Sequence, residues 1–294
     1  MKSVCAVVVT YNRLSCLRQC VEALRKQDCD LLVVNNASTD GTEAWLRERE
    51  GEGLTSLHLP ENTGGAGGFS RGIREAVTRG YEWIWVMDDD CYPEENALRA
   101  LLEADRELQG RYGWLSSLCL WTDHTPCRMN VQRATPYRDL PFTEQKLQQA
   151  QMASFVSLLL PAAVVKRFGL PIAEFFIWGD DWEYTRRISR SLPCYRVGDS
   201  RVIHAMKSNT VVSIDEDLEE RLPRYRYSYR NDVYLYRREG IAGWLWLLAK
   251  NLWHSVKTVR RGHPERMAVI WSGFRSGLSF APAIQYPGAG NEDT

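Results

Sequence analysis

Four short apolar runs alternate with helically spaced segments through the first hundred residues, and this alternation constrains the fold more than any other feature. Cys5 to Val9, Leu31 to Val34, Leu54 to Leu59 and Trp83 to Met87 are continuous runs of the kind buried on both faces of a parallel sheet. Between them, Leu14, Leu17, Val21 and Leu24 recur at helical spacing, and helices are predicted over Thr42 to Arg49 and Phe69 to Arg79. This β-α-β-α-β-α-β order specifies an α/β fold with a doubly wound, mostly parallel central sheet, because right-handed crossovers must cover its faces. Further on, a helix is predicted over Ala97 to Leu108 and a strand over Trp114 to Trp121. The polar stretch Thr122 to Gln149, punctuated by Pro126, Pro136 and Pro141, is expected to be a long loop or flap over a site. A strand over Ser154 to Leu160, a helix over Ala162 to Phe168 and a strand over Cys194 to Ile203 complete the pattern.

Open α/β sheets hold their ligands at the carboxyl ends of the strands. There the fourth run delivers Asp88-Asp89-Asp90. Adjacent like charges repel unless a cation or water screens them, and hard oxygen ligands of this kind suit Mg2+ or Mn2+. The rival is an acidic turn capping the helix that follows Pro93-Glu94-Glu95. The first run ends in Thr10-Tyr11-Asn12-Arg13, polar groups before a helix N-terminus that could meet a nucleotide base or phosphate; helix capping by Asn12 explains them as well. The second ends in Asn35-Asn36-Ala37-Ser38-Thr39-Asp40-Gly41-Thr42. An Asn amide carries the donor and acceptor that match a uracil or thymine edge, while an Asx turn would account for Asn36. After the third run, Asn62-Thr63-Gly64-Gly65-Ala66-Gly67-Gly68 forms a glycine loop that could turn backbone amides toward an anion. It lacks the Lys-Ser/Thr of a P-loop, and it follows the third strand rather than the first, against the dinucleotide fingerprint.

A second acidic segment runs Phe176-Ile177-Trp178-Gly179-Asp180-Asp181-Trp182-Glu183-Tyr184. An exposed Trp178 before Gly179 offers a platform for sugar stacking, and the paired carboxylates offer a general base with a neighbour to orient it. Capping of a helix from Trp182 by Asp180 or Asp181 is compatible with that role. His204 ends a strand-like run, where a neutral imidazole could complete a divalent metal site or serve only structure.

Lys+Arg and Asp+Glu balance at 37 each, so no overall basic field argues for nucleic acid. Eight cysteines without CxxC or zinc-like spacing are expected to be reduced, mostly buried thiols of a cytoplasmic protein, six of them in regular elements. No signal peptide is evident, and no stretch reaches the roughly 18–20 apolar residues that span a bilayer. Ile241 to Arg261 is different in texture. Its Leu252, Trp253, Val256 and Val259 continue an apolar helical stripe, with Lys250, Lys257, Arg260 and Arg261 largely outside it. A helix at a membrane interface, a core helix and a dimer contact are all compatible with such a stripe. Residues from Pro287 through Gly290 onward are expected to form a tail.

Taken in order, these motifs resemble a family 2 glycosyltransferase of GT-A fold over roughly Val4 to Gly240. The glycine segment and Tyr225-Arg226-Tyr227-Ser228-Tyr229-Arg230-Asn231-Asp232 look most like bacterial galactofuranosyltransferases, with rhamnosyltransferases next. The resemblance implies a catalytic domain over 1–240, nucleotide-binding to about residue 100 and acceptor-binding beyond it, with a helical extension over 241–294. It implies donor contacts from Thr10, Asn12, Arg13, Asn35, Asn62, Gly65, Asp88 and Asp89, and a Mn2+ or Mg2+ site at Asp88, Asp90 and His204. Asp181 would be the base, with Asp180, Glu183, Gly179 and Trp178 around the acceptor hydroxyls. Asn35 departs from the family's usual Asp, which leaves the choice of nucleotide open. The reaction implied is inverting transfer of galactofuranose from its UDP donor to a lipid-linked glycan at the cytoplasmic face of the inner membrane. Alternatives are a dTDP-rhamnose-dependent transferase and, more distantly, a sugar nucleotidyltransferase or a catalytically silent carbohydrate-binding protein. The nucleotidyltransferase wants Arg and Lys in a glycine loop after the first strand, where Thr10-Tyr11-Asn12 stands instead.

Overall fold

The computed structural model describes residues 3–51, 53–143 and 145–288. Residues 289 to 294, with Gly290 of the expected tail, lie outside the described residues. Strands β1 (Val4–Thr10), β2 (Asp30–Asn35), β3 (Leu54–His58) and β4 (Trp83–Asp88) pair in parallel in the order β3-β2-β1-β4. Both faces of β1 are buried, which is why its sequence is unbroken Val, Ala and Cys before Thr10. Val4, Ala6 and Val8 enter one core with α1 (Leu14–Leu24) and α2 (Thr42–Arg47), and Cys5, Val7 and Val9 enter the other with α3 (Gly64–Thr78). The chain runs outward from β1 to β3, then returns to place β4 on the other side of β1. That reversal opens a crevice at the carboxyl ends of β1 and β4, beside Thr10 and Asp88.

The rest of the sheet is mixed. After β5 (Cys91–Pro93) and α4 (Ala97–Leu108), β6 (Leu115–Leu120) is followed by the small ribbon β7 (Arg133–Thr135) and β8 (Arg138–Asp139) and by β9 (Leu147–Gln149). Strand β10 (Leu158–Pro161) lies antiparallel between β4 and β6, and leads into α5 (Ala162–Phe168). After α6 (Asp180–Ser189), β11 (Tyr195–His204) runs parallel to β6 and antiparallel to β5 and β9. Helices α7 (Leu222–Tyr236), α8 (Gly240–Arg260) and α9 (Arg266–Ser279) complete the chain. All eight cysteines are free and only Cys16 is not buried, though Cys29, Cys127 and Cys194 lie outside regular elements.

The glycine segment is a correction to the loop expected there: α3 starts at Gly64, five residues before Phe69, and takes the glycines into its first turns. A Cβ on Gly68 would meet Val9 Cγ1 at 2.5 Å, and one on Gly72 would meet Val7 Cγ1 at 2.4 Å. These glycines let the helix settle against β1, a packing demand that outweighs their poor helix propensity.

Candidate active site

Asp88, Asp89 and Asp90 follow directly from β4 into the crevice, and each meets a different environment. Thr10 Oγ1, from the end of β1, donates to Asp89 Oδ2 at 2.7 Å. Arg13 bridges two of the acids, at 3.2 Å from Asp89 and 2.6 Å from Asp90. His204, at the end of β11, places Nε2 at 3.1 Å from Asp90 Oδ1, while Asn130 Oδ1 lies 2.8 Å from Nδ1. Burial opposes ionisation of Asp90, but the bonds from His204 and Arg13 outweigh it and hold its pKa at about 2. Burial raises Asp88 to about 6, helped by the charge on Asp90, and raises Asp89 to about 7 despite Arg13. Burial would lower His204, yet Asp90, Cys127 and Asp88 together raise it to about 10.

Donor atoms of Asp88, Asp90, Cys91 and His204 lie within 4.8 Å of one another. Ligand atoms around an octahedral ion with bonds near 2.1 Å stand about 3–4 Å apart, so Asp88, Asp90 and His204 fit a divalent cation with small adjustment. The two carboxylates suit Mn2+ or Mg2+, the imidazole favours Mn2+ of the two, and the Cys91 thiol is the least suited of the four.

The loops after β1 and β2 are tied together. Asn12, at φ 54°, accepts from Thr39 N through Oδ1 at 2.6 Å, and its own N–H donates to Ser38 Oγ at 3.0 Å. Asp40, not Asn12, caps α1, accepting from Leu14 N at 2.9 Å. Asn35 is closed off from the crevice more than its sequence position implied. It is 1 % exposed, with Oδ1 accepting from Ser38 N at 3.0 Å and Nδ2 lying 3.1 Å from His58 Nδ1. Asn36 spans Asn62 Oδ1, Gly64 O and Thr63 N, so it pins the start of α3, and Asn62 Oδ1 also accepts from Gly64 N. Gly65 has open space where a side chain would stand.

Asp180 and Asp181 open α6, at the positive end of its dipole. Burial raises Asp180 to about 7 and drives Asp181 well above the usual carboxylate range. The charge of Asp88 pushes in the same direction on both, so the two acidic patches lie within electrostatic reach of each other. Glu183 is placed differently from expectation: Arg187 donates to both of its oxygens, at 3.2 and 2.7 Å, and its side chain is 4 % exposed. Arg187, of the same helix, in turn donates to the carbonyls of Phe168 and Leu170, so Glu183 orients the side chain that ties α6 to the segment before it. Trp178 is half-buried rather than exposed, its ring edge-on to Tyr225 at 5.0 Å.

The segment before α6 is strained. Phe176 and Trp178 adopt φ of 63° and 65°, a region bulky side chains avoid. Asn231 on α7 holds it there, its amide donating to the carbonyls of Phe175, Ile177 and Trp178 at 3.0, 3.2 and 2.8 Å. The Tyr-Arg repeat that contains Asn231 was visible in the sequence, but nothing in it announced a clamp. Arg133 also went unseen: it lies 3.6 Å over the Trp182 ring, and its charge eases the ionisation of Asp181. Arg133 and Asn130 come from the polar stretch expected as a loop, which gave no signal beyond its prolines.

An acidic cluster at the reversal point of the sheet, with a second acidic helix start near it, is an arrangement like that of GT-A-fold glycosyltransferases. The Glycosyl transferase family 2 profile matches residues 5–109. The chain is 28 % identical over 298 residues to galactofuranosyltransferase GlfT1 of Mycobacterium tuberculosis, covering 90 % of this chain and 97 % of that one. Two solved structures share the fold. Staphylococcus aureus TarS (residues 1–349) superposes with a TM-score of 0.56 at 16 % identity, over 93 % of this chain and 71 % of that one. A GalNAc-T7 structure with UDP, GalNAc and Mn2+ gives 0.59 at 14 % identity over 79 % of this chain, which spans about half (47 %) of that protein. The chain is thus similar to family 2 glycosyltransferases in its first half-sheet and, over most of its length, to a galactofuranosyltransferase.

Proposed function

We propose that the protein is an inverting, metal-dependent galactofuranosyltransferase that uses UDP-galactofuranose to extend a lipid-linked bacterial surface glycan. Residues 1–240 form its catalytic domain and 241–294 an extension, at the cytoplasmic face of the inner membrane. What supports the reading is the acidic cluster after β4, bound by Thr10, Arg13 and His204, with the Asp180-Asp181 start of α6 within electrostatic reach of Asp88. The near end-to-end similarity to a galactofuranosyltransferase favours that sugar over rhamnose.

Thr10, Asn12, Arg13, Asn62, Gly65 and Asp89 line the donor side, with Asn35 shaping the base pocket from behind. Arg13 meets the diphosphate while retaining its hold on Asp89. Asp88, Asp90 and His204 would hold Mn2+ or Mg2+, which offsets negative charge on the diphosphate as it departs. On the other side, the acceptor hydroxyl transfers its proton to an Asp181 carboxylate oxygen. The acceptor oxygen bonds to the anomeric carbon as the bond to the β-phosphate oxygen breaks, and the electron pair leaves with UDP. One displacement inverts the centre. Asp180 accepts from a neighbouring acceptor hydroxyl, Trp178 and Gly179 border the sugar, and Glu183 orients Arg187, which ties α6 to Phe168 and Leu170.

Turnover of a panel of UDP- and dTDP-sugars with Mn2+, followed by released nucleoside diphosphate, tests this. UDP-galactofuranose should be consumed fastest. Preference for dTDP-rhamnose would move the assignment to the rhamnosyl reading, release of pyrophosphate to a nucleotidyltransferase, and absence of turnover to a binding protein. Asp90→Ala and Asp181→Ala should each remain folded and lose about 10²–10⁴-fold in rate; a folded variant with retained turnover would remove that residue from its role.

A further inference from the structure

Helix α8 is built inside out. Toward the protein it turns small and polar residues: Gly243, Asn251, Ser255 and Thr258 are buried, with Leu247 the single large apolar side chain among them. Lys250 reaches Asp232 at 2.8 Å, and His254 Nδ1 lies 2.7 Å from Tyr229 OH. Toward solvent it turns Ile241, Leu245, Leu248, Leu252, Val256 and Val259, spaced three or four residues apart along one line, with Trp253 beside them. Ile241 is 81 % exposed and Trp253 55 %. An apolar line of this length, about 27 Å at 1.5 Å per residue, is far from a scattered surface leucine. Among the described residues no helix is long and apolar enough to cross a membrane.

Charge selects the occupant. Helix α8 contains no acidic residue, and Gly240 to Gly288 carries six Lys and Arg against one Glu, within a chain of zero formal charge. Lys250, Lys257, Arg261 and Arg266 have partners within the chain, while Arg260 and Arg275 stand exposed, so a two-fold contact would set exposed cations against their own copies. An anionic bilayer supplies the opposite charge, and Trp at the edge of an apolar line is the residue favoured at lipid headgroups.

We propose that α8 lies along an anionic lipid surface with this face embedded in the headgroup region. The same helix adjoins the catalytic half: Leu247 on its inner side shares a cluster with Tyr236, and Trp246 on its flank lies 5.5 Å from Tyr137, which stacks on Tyr236. Those tyrosines share a cluster with Trp182, the residue after Asp181. Docking therefore holds the acceptor side of the crevice beside the membrane. That link to acceptor delivery rests on the transferase reading; the lipid contact itself does not.

Co-sedimentation of the full chain with phosphatidylglycerol-containing and pure phosphatidylcholine vesicles, without donor, tests the contact independently of catalysis. The chain should bind the anionic vesicles, with binding weakened by salt. Leu252→Glu and Trp253→Glu, whose side chains are exposed, should keep the parent melting temperature and lower partitioning at least about tenfold. Arg260→Glu combined with Arg261→Glu should weaken binding only to the anionic vesicles. Failure to bind them, or unchanged binding in both single variants, would overturn the proposal. So would a lipid-free dimer that these substitutions dissociate, because the face would then belong to a second copy.

Discussion

Asp180 and Asp181 sit where ionisation is disfavoured, yet a base must be ionised to act. Burial raises both, Asp180 to about 7 from an ordinary value of 3.8. With Asp181 as the base, activity should therefore rise with pH through a midpoint above the ordinary carboxylate range, measured as kcat/KM against pH. Stability should move the other way. Between about pH 4 and pH 7 the folded chain holds a proton on Asp180 that the unfolded chain has released, so stability falls as pH rises across that window. Above it the cost is fully present; below it the cost is absent. Asp180→Asn removes the charge without changing the shape. It should raise Tm by several degrees near pH 8 and leave it almost unaltered near pH 4. A Tm difference independent of pH would show that Asp180 titrates in the ordinary range. The sequence showed these two acids side by side, but not their burial. Two of the site's supports, Asn231 and Arg133, act through backbone carbonyls and a ring face, neither of which leaves a local pattern.

At the scale of the element, α3 shows what a glycine segment can conceal. Gly72 faces Val7 and Val34, and an added methyl would meet them at 2.4 and 2.9 Å. Helix propensity favours Ala over Gly by about 1 kcal/mol, while overpacking a core costs about 1–3 kcal/mol. The second effect wins where neither valine can retreat, so Gly72→Ala should lower Tm. Gly65 has nothing within 4 Å of the same added atom. Gly65→Ala should therefore raise Tm, while weakening UDP-sugar binding if the donor approaches that backbone; calorimetry and titration of donor separate the two. An equal sign for both substitutions would refute the packing account. The four leading strands were legible because burial on both faces demands unbroken apolar runs. The start of α3 was not, because its glycines answer to β1 across space rather than to their neighbours in sequence. Helix α9 packs for a similar reason: Gly273 and Gly277 meet α7 backbone and side chains directly, a contact that neighbours in sequence do not announce.

At the scale of the whole molecule, zero net charge hides a polar distribution. Gly240 to Gly288 carries a formal +5, six cationic side chains against one acid, so the remaining residues carry −5. Some of the cations are committed internally: Lys250 to Asp232, and Arg266, buried, to the carbonyls of Ile214 and Asp217. Lys257, Arg260, Arg261 and Arg275 remain near the surface, of which Lys257 and Arg261 also answer Asp215. Attraction between this end and an anionic bilayer acts over a Debye length, about 10 Å at 0.1 M salt and far less at 1 M. A donor reaction in the proposed crevice should have no such dependence, because its charges would act at contact distance. Salt should therefore split the two halves of the activity. Between about 0.05 and 0.5 M, transfer to an acceptor carried in anionic vesicles should fall several-fold, while transfer to the same sugar on a short soluble aglycone should change little. If both rates fell in parallel, salt would be acting on the crevice itself, and the +5 segment would have no part in bringing enzyme and acceptor together.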